Sequence, residues 1–170
     1  MDIRVHIIGG AGSGKTYTAK QLSEMYKIPH LDLDQIFWDQ QAEEYGIKAS
    51  ASMRDNNLKG FVEHPSWIIE GVYFTWLAPS FALADQIFVL QTPLSIQENR
   101  IWSRFQKRKT GLLPSTKKET TQSIQQLIEW NKKYNQDFLP NFIRNTDYKY
   151  KIIQFENGES IIEHVSKFLS

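Results

Sequence analysis

Eight consecutive residues, Gly9-Gly10-Ala11-Gly12-Ser13-Gly14-Lys15-Thr16, constrain this chain more than any other stretch. They fit G-x-x-x-x-G-K-[ST], the phosphate-binding P-loop. Glycines let successive backbone N–H groups turn inward without Cβ obstruction, so the loop can wrap a polyphosphate. A helix opening directly after the loop adds its positive dipole end and its unpaired donors. In such a loop Lys15 reaches the β- and γ-phosphates, and the Thr16 hydroxyl ligates Mg²⁺. Tyr17 follows at the mouth and joins the nucleotide-binding set.

The flanks agree with that reading. Residues 3–8, Ile-Arg-Val-His-Ile-Ile, form a short β-rich run that ends at the first glycine. After Thr16, Ala19, Leu22 and Met25 or Tyr26 recur at helical spacing up to the Ile28-Pro29 break. A β-strand, a P-loop and a helix therefore follow one another in the required order.

Further on, residues 30–34 alternate as a second strand, with Asp32 and Asp34 at its carboxyl end. Residues 49–64 carry a weak helical stripe of Met53, Leu58, Phe61 and Val62, and 67–71 form a third strand ending in Gly71. A short helix over 77–84 precedes a fourth, continuously apolar strand at 86–90, the pattern of a central parallel strand. Thr92-Pro93 opens a helix that carries Arg100, Arg104 and Arg108 and breaks between Gly111 and Pro114. Thr116-x-x-Glu119 reads as a capping box for a helix bearing Ile124, Leu127, Ile128, Trp130 and Tyr134. Residues 151–155 are a fifth strand. Asn157-Gly158 turns into a last helix over 160–169, with Ile161, Ile162, Val165, Phe168 and Leu169 on its apolar face.

Strands alternating with helices imply a parallel sheet covered on both faces, in one α/β domain of three αβα layers. The expected strand order is 2-3-1-4-5. Ligands of such sheets bind at the carboxyl ends of the strands. The P-loop, Asp32, Asp34, Gly71 and Gln91-Thr92 all fall there.

Composition narrows the function classes. The 170 residues carry a net charge of +1, with 41% hydrophobic and 23% charged residues, as in ordinary globular proteins. A strongly basic nucleic-acid binder is not what that balance describes. With no cysteine, disulfides and thiolate metal sites are excluded, which fits a reducing compartment. No apolar run approaches a membrane span, and the chain opens on a strand rather than a leader. A cytoplasmic location is the expectation.

The layout resembles the small P-loop kinases of the adenylate- and shikimate-kinase group over nearly the whole chain. A closer likeness is to the bacterial DNA topology modulation (FlaR-related) proteins. The residues carrying it are 9–16, 28–34 with Trp38, 67–73, Ala84-Asp85, the Arg100/Arg104/Arg108 run and 127–130. The resemblance implies ATP and Mg²⁺, an acceptor-binding flap over 35–65 and an arginine lid over 100–118. It implies that of Asp32 and Asp34 one lies near Mg²⁺ and the other near the acceptor hydroxyl. Asp32 is taken as the metal partner with Thr16, and Asp34 as the acceptor's base. Arg104 and Arg108 would stabilise the transferring phosphoryl beside Lys15, and Arg100 would hold the nucleotide. Trp38, Arg54 and Gly71 would line the acceptor site, with Trp76 nearby.

Each assignment has a plainer alternative. The two aspartates can cap a turn, the arginines can form a solvated basic face, and Arg54 can be a surface residue. Two departures from the pattern matter. No apolar run after the lid ends in the acidic pair of ATPases. The stretch after Gly71, Val72-Tyr73-Phe74-Thr75-Trp76, holds no arginine of the kind that grips an acceptor phosphate. The expected activity is phosphoryl transfer from a nucleoside triphosphate to a nucleotide, nucleoside or small hydroxy metabolite. The alternative is a nucleotide-dependent regulator acting on DNA topology, for which the seven Lys and Arg between Asn99 and Lys118 would be the nucleic-acid patch.

Overall fold

The strand that feeds the P-loop sits at the centre of the sheet. In the computed structural model, which describes residues 1–44, 46–115 and 118–170, Arg4–Gly9 forms β1, buried from Val5 onward. Strand β3, Trp67–Gly71, is buried throughout, as is β4, Gln86–Leu90, after its first residue. Both pair with β1 in parallel. The short β2, His30–Asp32, lies outside β3, and the less buried β5, Ile152–Phe155, lies outside β4. The order is β2-β3-β1-β4-β5, all parallel, as the sequence predicts.

Alternation divides the apolar side chains between two layers. Val5, Ile7, Phe88 and Leu90 face α1 (Lys15–Tyr26) and α8 (Gly158–Leu169), where Ala19, Leu22, Ile161 and Val165 meet them. Ile8, Trp67, Ile69, Ile87 and Val89 face the opposite layer. It contains α2 (Asp34–Phe37), α3 (Ala51–Phe61), α4 (Ala78–Leu83) and α7 (Leu139–Asn145). A third, small cluster of Ile101, Phe105 and Ile124 joins α5 (Leu94–Lys109) to α6 (Thr121–Lys133).

Several local expectations are corrected. The second strand stops at Asp32, and Asp34 starts a helical turn instead of ending the strand. Helix α6 is capped by Thr120, whose side chain accepts from Ser123 N while the Ser123 hydroxyl accepts from Thr120 N. Thr116 lies outside the described residues, and Glu119 pairs with Arg108. Met53, Phe168 and Trp130 stand 49%, 42% and 39% exposed rather than packed. The sequence reading assigned nothing between Tyr134 and Tyr150, where a π-helical turn, Tyr134–Phe138, runs on from α6 into α7.

His6 shows how completely the centre is dried. Its ring meets Trp67 and Phe81 edge-on and is fully buried. Its Nε2 lies 2.9 Å from Ser80 Oγ, and that hydroxyl donates to Leu77 O, so the histidine donates through Nε2. Burial, helped by the nearby Lys151 ammonium, pushes its pKa down to about 3. The unfolded chain takes up this proton near the ordinary value of 6.5, whereas the folded chain refuses it until about 3. Stability therefore falls as pH drops through that window and levels off below it. Between pH 7 and pH 5 the urea-unfolding free energy should drop by roughly 2 kcal/mol more in the wild type than in His6→Gln. Equal drops would contradict a neutral buried His6.

Candidate active site

The P-loop is held rigid from behind by side-chain amides. Asn131 Oδ1 accepts from Ala11 N at 2.7 Å, and Asn131 Nδ2 donates back to Ala11 O at 3.3 Å. Gln97 accepts from both Asn131 and Asn135 and donates to Thr92 O, while the Thr92 hydroxyl donates to Ser13 O. Gln97 and Asn131 are wholly buried. This network explains the second glycine. A Cβ on Gly10 would come within 2.6 Å of atoms of Asn131, Asn135 and Gln97. Gly12 and Gly14 adopt φ of 75° and 96°, backbone that only glycine takes without strain. Gly9 is tight against Ser13 and Leu90 O.

The loop then opens into α1 at Gly14, which supplies no capping side chain, so the first-turn N–H groups are left for a ligand. Lys15 curls back, donating to Gly10 O at 3.1 Å. Burial lowers its pKa against the opposing pull of Glu70, Asp34 and Asp32, and Arg104 lowers it further. Lysine, three carboxylates and an arginine thus share one field. The hydroxyl of Thr16 donates to Glu70 Oε1 at 2.8 Å. Tyr17 points outward, 68% exposed.

Glu70 was not among the sequence-derived site residues. It is the next-to-last residue of β3, 1% exposed and beside β1, and its Oε2 has no hydrogen-bond partner among the described residues. His30 Nε2 lies 3.6 Å from Oε1. The signal was present in the apolar run Trp67-Ile68-Ile69 that ends in a carboxylate. It lies before the arginine segment, not after it.

Asp32 and Asp34 are adjacent and do different things. Asp32 Oδ1 accepts from Asp34 N at 2.9 Å, closing the turn into α2. Burial first, then Glu70 and Asp34, push its pKa up to about 6. Asp34 is exposed, and its Oδ1 accepts from the Tyr73 hydroxyl at 2.5 Å. The Tyr73 phenol is itself raised in pKa, chiefly by burial and then by Asp34. Among the described residues, no three His, Cys, Asp or Glu side chains gather to hold a metal on their own.

The arginines of α5 go to three places. Arg100 Nη1 donates to Gly12 O at 3.1 Å. Arg108 pairs with Glu119, Nη2 donating at 2.9 Å. Arg104 has neither an ion pair nor a hydrogen bond among the described residues; burial and its two arginine neighbours lower its pKa. In the segment after β2, Phe37 stacks on Tyr73 at 4.5 Å and meets Trp38 edge-on, with Trp76 beyond. The Arg54 guanidinium lies 4.5 Å over Trp76 and also pairs with Asp55. Gly71 is packed against Leu33 and Tyr73 at the end of β3. The structure therefore brings Lys15, Thr16, Glu70, Asp32, Asp34 and Arg104 together, and sets Trp38 and Arg54 further out on an aromatic cluster.

Comparison with solved structures decides the architecture. A shikimate kinase from Bacteroides thetaiotaomicron superposes with a TM-score of 0.61 at 14% identity, covering 98% of each chain. The fold is that of the small P-loop kinases. A gluconokinase from Sinorhizobium meliloti 1021 gives a TM-score of 0.52 at 14% identity, over 89% of this chain and 81% of that one. An uncharacterized protein from Eubacterium ventriosum gives 0.56 at 17% identity, over 99% and 98%. No protein-family model and no curated protein matches the sequence. No helix among the described residues is long and apolar enough to cross a membrane.

The amide clamp generates a direct prediction. Asn131→Ala should fold but melt lower, losing about 1–3 kcal/mol because the part-buried Ala11 N–H and the buried Gln97 amide oxygen each lose a partner. Nucleoside triphosphate affinity measured by calorimetry should fall with it. A mutant with unchanged melting temperature and unchanged affinity would show that the clamp does not hold the loop.

Proposed function

We propose that this chain is an ATP-dependent phosphotransferase that moves the γ-phosphoryl group onto a hydroxyl of a small molecule. The observation that carries this reading is the convergence of Lys15, the Thr16–Glu70 pair, Asp32, Asp34 and Arg104 at the carboxyl ends of the strands. The uncapped start of α1 and the glycine cradle suit a polyphosphate. The orphaned Glu70 Oε2 and the Thr16 hydroxyl, with Asp32, suit Mg²⁺. That ion would screen phosphate charge between the triphosphate and these oxygens.

The transfer is written on this chain's own groups. Backbone N–H groups of the loop and Lys15 hold the β- and γ-phosphates. Asp34, exposed at the mouth, orients the acceptor hydroxyl and takes its proton. The hydroxyl oxygen forms the new bond to the γ-phosphorus. The bond to the β,γ-bridging oxygen breaks, and ADP leaves with that electron pair. Arg104 faces the charge that spreads over the transferring group, and Arg108 joins it when freed from Glu119. In this reading residues 35–65 are the acceptor flap and 100–118 the lid. Tyr17 and Arg100 border the nucleotide, and Trp38, Arg54 and Gly71 border the acceptor.

Structural likeness to a shikimate kinase and a gluconokinase supports a small-molecule acceptor. The order of sequence motifs supports placement with the FlaR-related group. A role on DNA draws less support, because Arg100 and Arg108 are engaged with Gly12 O and Glu119 instead of forming an open basic face.

Two measurements check this. Lys15→Ala should keep its fold and lose at least about 10²-fold in phosphoryl transfer, as when a charge-stabilising donor is removed. Equal turnover would remove the P-loop from the mechanism. Asp34→Asn should lower turnover ~10²–10⁴-fold, and Asp32→Asn should mainly raise the Mg²⁺ requirement. If both behave as wild type, the pair is only a turn cap.

A further inference from the structure

A groove of about 530 Å³ runs between the segment after β3 and the α6–π–α7 helix. Its walls are Tyr73, Phe74, Trp130, Tyr134, Phe138 and Phe142. Four of these rings come every fourth residue from one helix. Four residues overshoot an α-helical turn by about 40°, so rings at that spacing would spiral away from a single face. The looser π winding over Tyr134–Phe138 turns the drift back and keeps the rings along one groove. The walls are fixed. The Tyr134 hydroxyl donates to Val72 O at 2.7 Å, Phe74 stacks on Phe142 at 4.6 Å, and Trp130 stacks on Tyr134 at 5.2 Å. The two outer rings, Trp130 and Phe138, remain 39% exposed, although rings of this size are usually covered.

The groove adjoins the transfer site through one residue. Tyr73 lines it and donates its hydroxyl to Asp34. Among the described residues the lining carries no charged side chain; Thr75 and Asn141 supply its polar edges. At the rim, Lys133 Nζ lies 5.4 Å from the Phe138 ring centre. Such a wall stacks on a planar ring, has no arginine for an acceptor phosphate, and has no carboxylate for an ammonium group.

Resting on the phosphotransferase reading, we infer that this groove seats the acceptor, and that the acceptor is an uncharged, ring-bearing alcohol of nucleoside type. Its flat ring lies among Trp130, Phe138 and Phe74, and its hydroxyl projects past Tyr73 toward Asp34. The alternative slot between Phe37 and Tyr73 is closed, since those rings already stack on one another at 4.5 Å.

The test is titration of the full chain, with Mg²⁺ and a non-hydrolysable ATP analogue, by adenosine, thymidine, their 5′-monophosphates and glycerol. Tryptophan fluorescence and calorimetry report binding, and ADP release with ATP reports transfer. Expected is saturable binding of a nucleoside at least tenfold tighter than of its monophosphate or of glycerol. Trp130→Ala and Phe138→Ala should each weaken it about tenfold, the effect of losing one stacking ring. Trp130→Phe should restore it, and affinity for the ATP analogue should stay unchanged in all three. Tighter binding of the monophosphates, or binding untouched by the ring variants, overturns the inference. Transfer to glycerol with no nucleoside binding overturns the groove assignment and leaves the phosphotransferase reading standing. Failure of the wild type to bind the ATP analogue strikes that reading itself.

Discussion

The contact on which the rest of this structure depends is the two-way hydrogen bond between Asn131 and the backbone of Ala11. A glycine-rich loop is flexible by composition, and an anion site needs its N–H groups already pointing inward. Here the arrangement is imposed by neighbours. Gln97 comes from α5, the helix that carries the arginines, Asn131 from α6 and Thr92 from just beyond β4, and Arg100 closes on Gly12 O. The helix that carries the arginines, and α6 after it, are therefore anchored to the phosphate loop by buried amides. Buried amide networks specify a single arrangement because each unmade bond costs more than a made one contributes.

What the sequence makes legible follows from where local rules suffice. Strands β1, β3 and β4 are short apolar runs bounded by turn residues, and burial on both faces leaves them little freedom. The P-loop is legible because its geometry needs specific residues at fixed spacing. The turn after Asp32 is not, because β2 is only three residues long and Asp32 caps its own neighbour. Glu70 looked like the polar end of a strand; only the register beside β1 shows that it meets Thr16. Thr120 caps α6 through Ser123, a partner that the Glu/Gln form of the capping box does not single out. The π turn has no local signature beyond aromatics at every fourth position, and i, i+4 pairs of that kind also occur on α-helices, where they drift slowly around the axis.

The active edge also shows a division of labour among carboxylates. Glu70 is buried and tied to Thr16, Asp32 is half-buried with its pKa raised, and Asp34 is exposed beneath Tyr73. Three acids crowded near one lysine repel one another, a cost that a divalent cation and the lysine together would relieve. Asp34 is the exposed member of the three and accepts from Tyr73, where the aromatic groove begins. In the proposed reading the phosphates lie on the Glu70 and Asp32 side of this turn and the acceptor on the Tyr73 side.

The central claim is that the γ-phosphoryl group leaves this site on an organic hydroxyl. ATP radiolabelled in its γ-phosphoryl group, incubated with the protein, Mg²⁺ and a panel of nucleosides and small hydroxy compounds, tests it most directly. The account predicts label in a phosphate ester of one acceptor class, with inorganic phosphate a minor product. Label appearing only as inorganic phosphate, with release stimulated by DNA and indifferent to every acceptor, would contradict it.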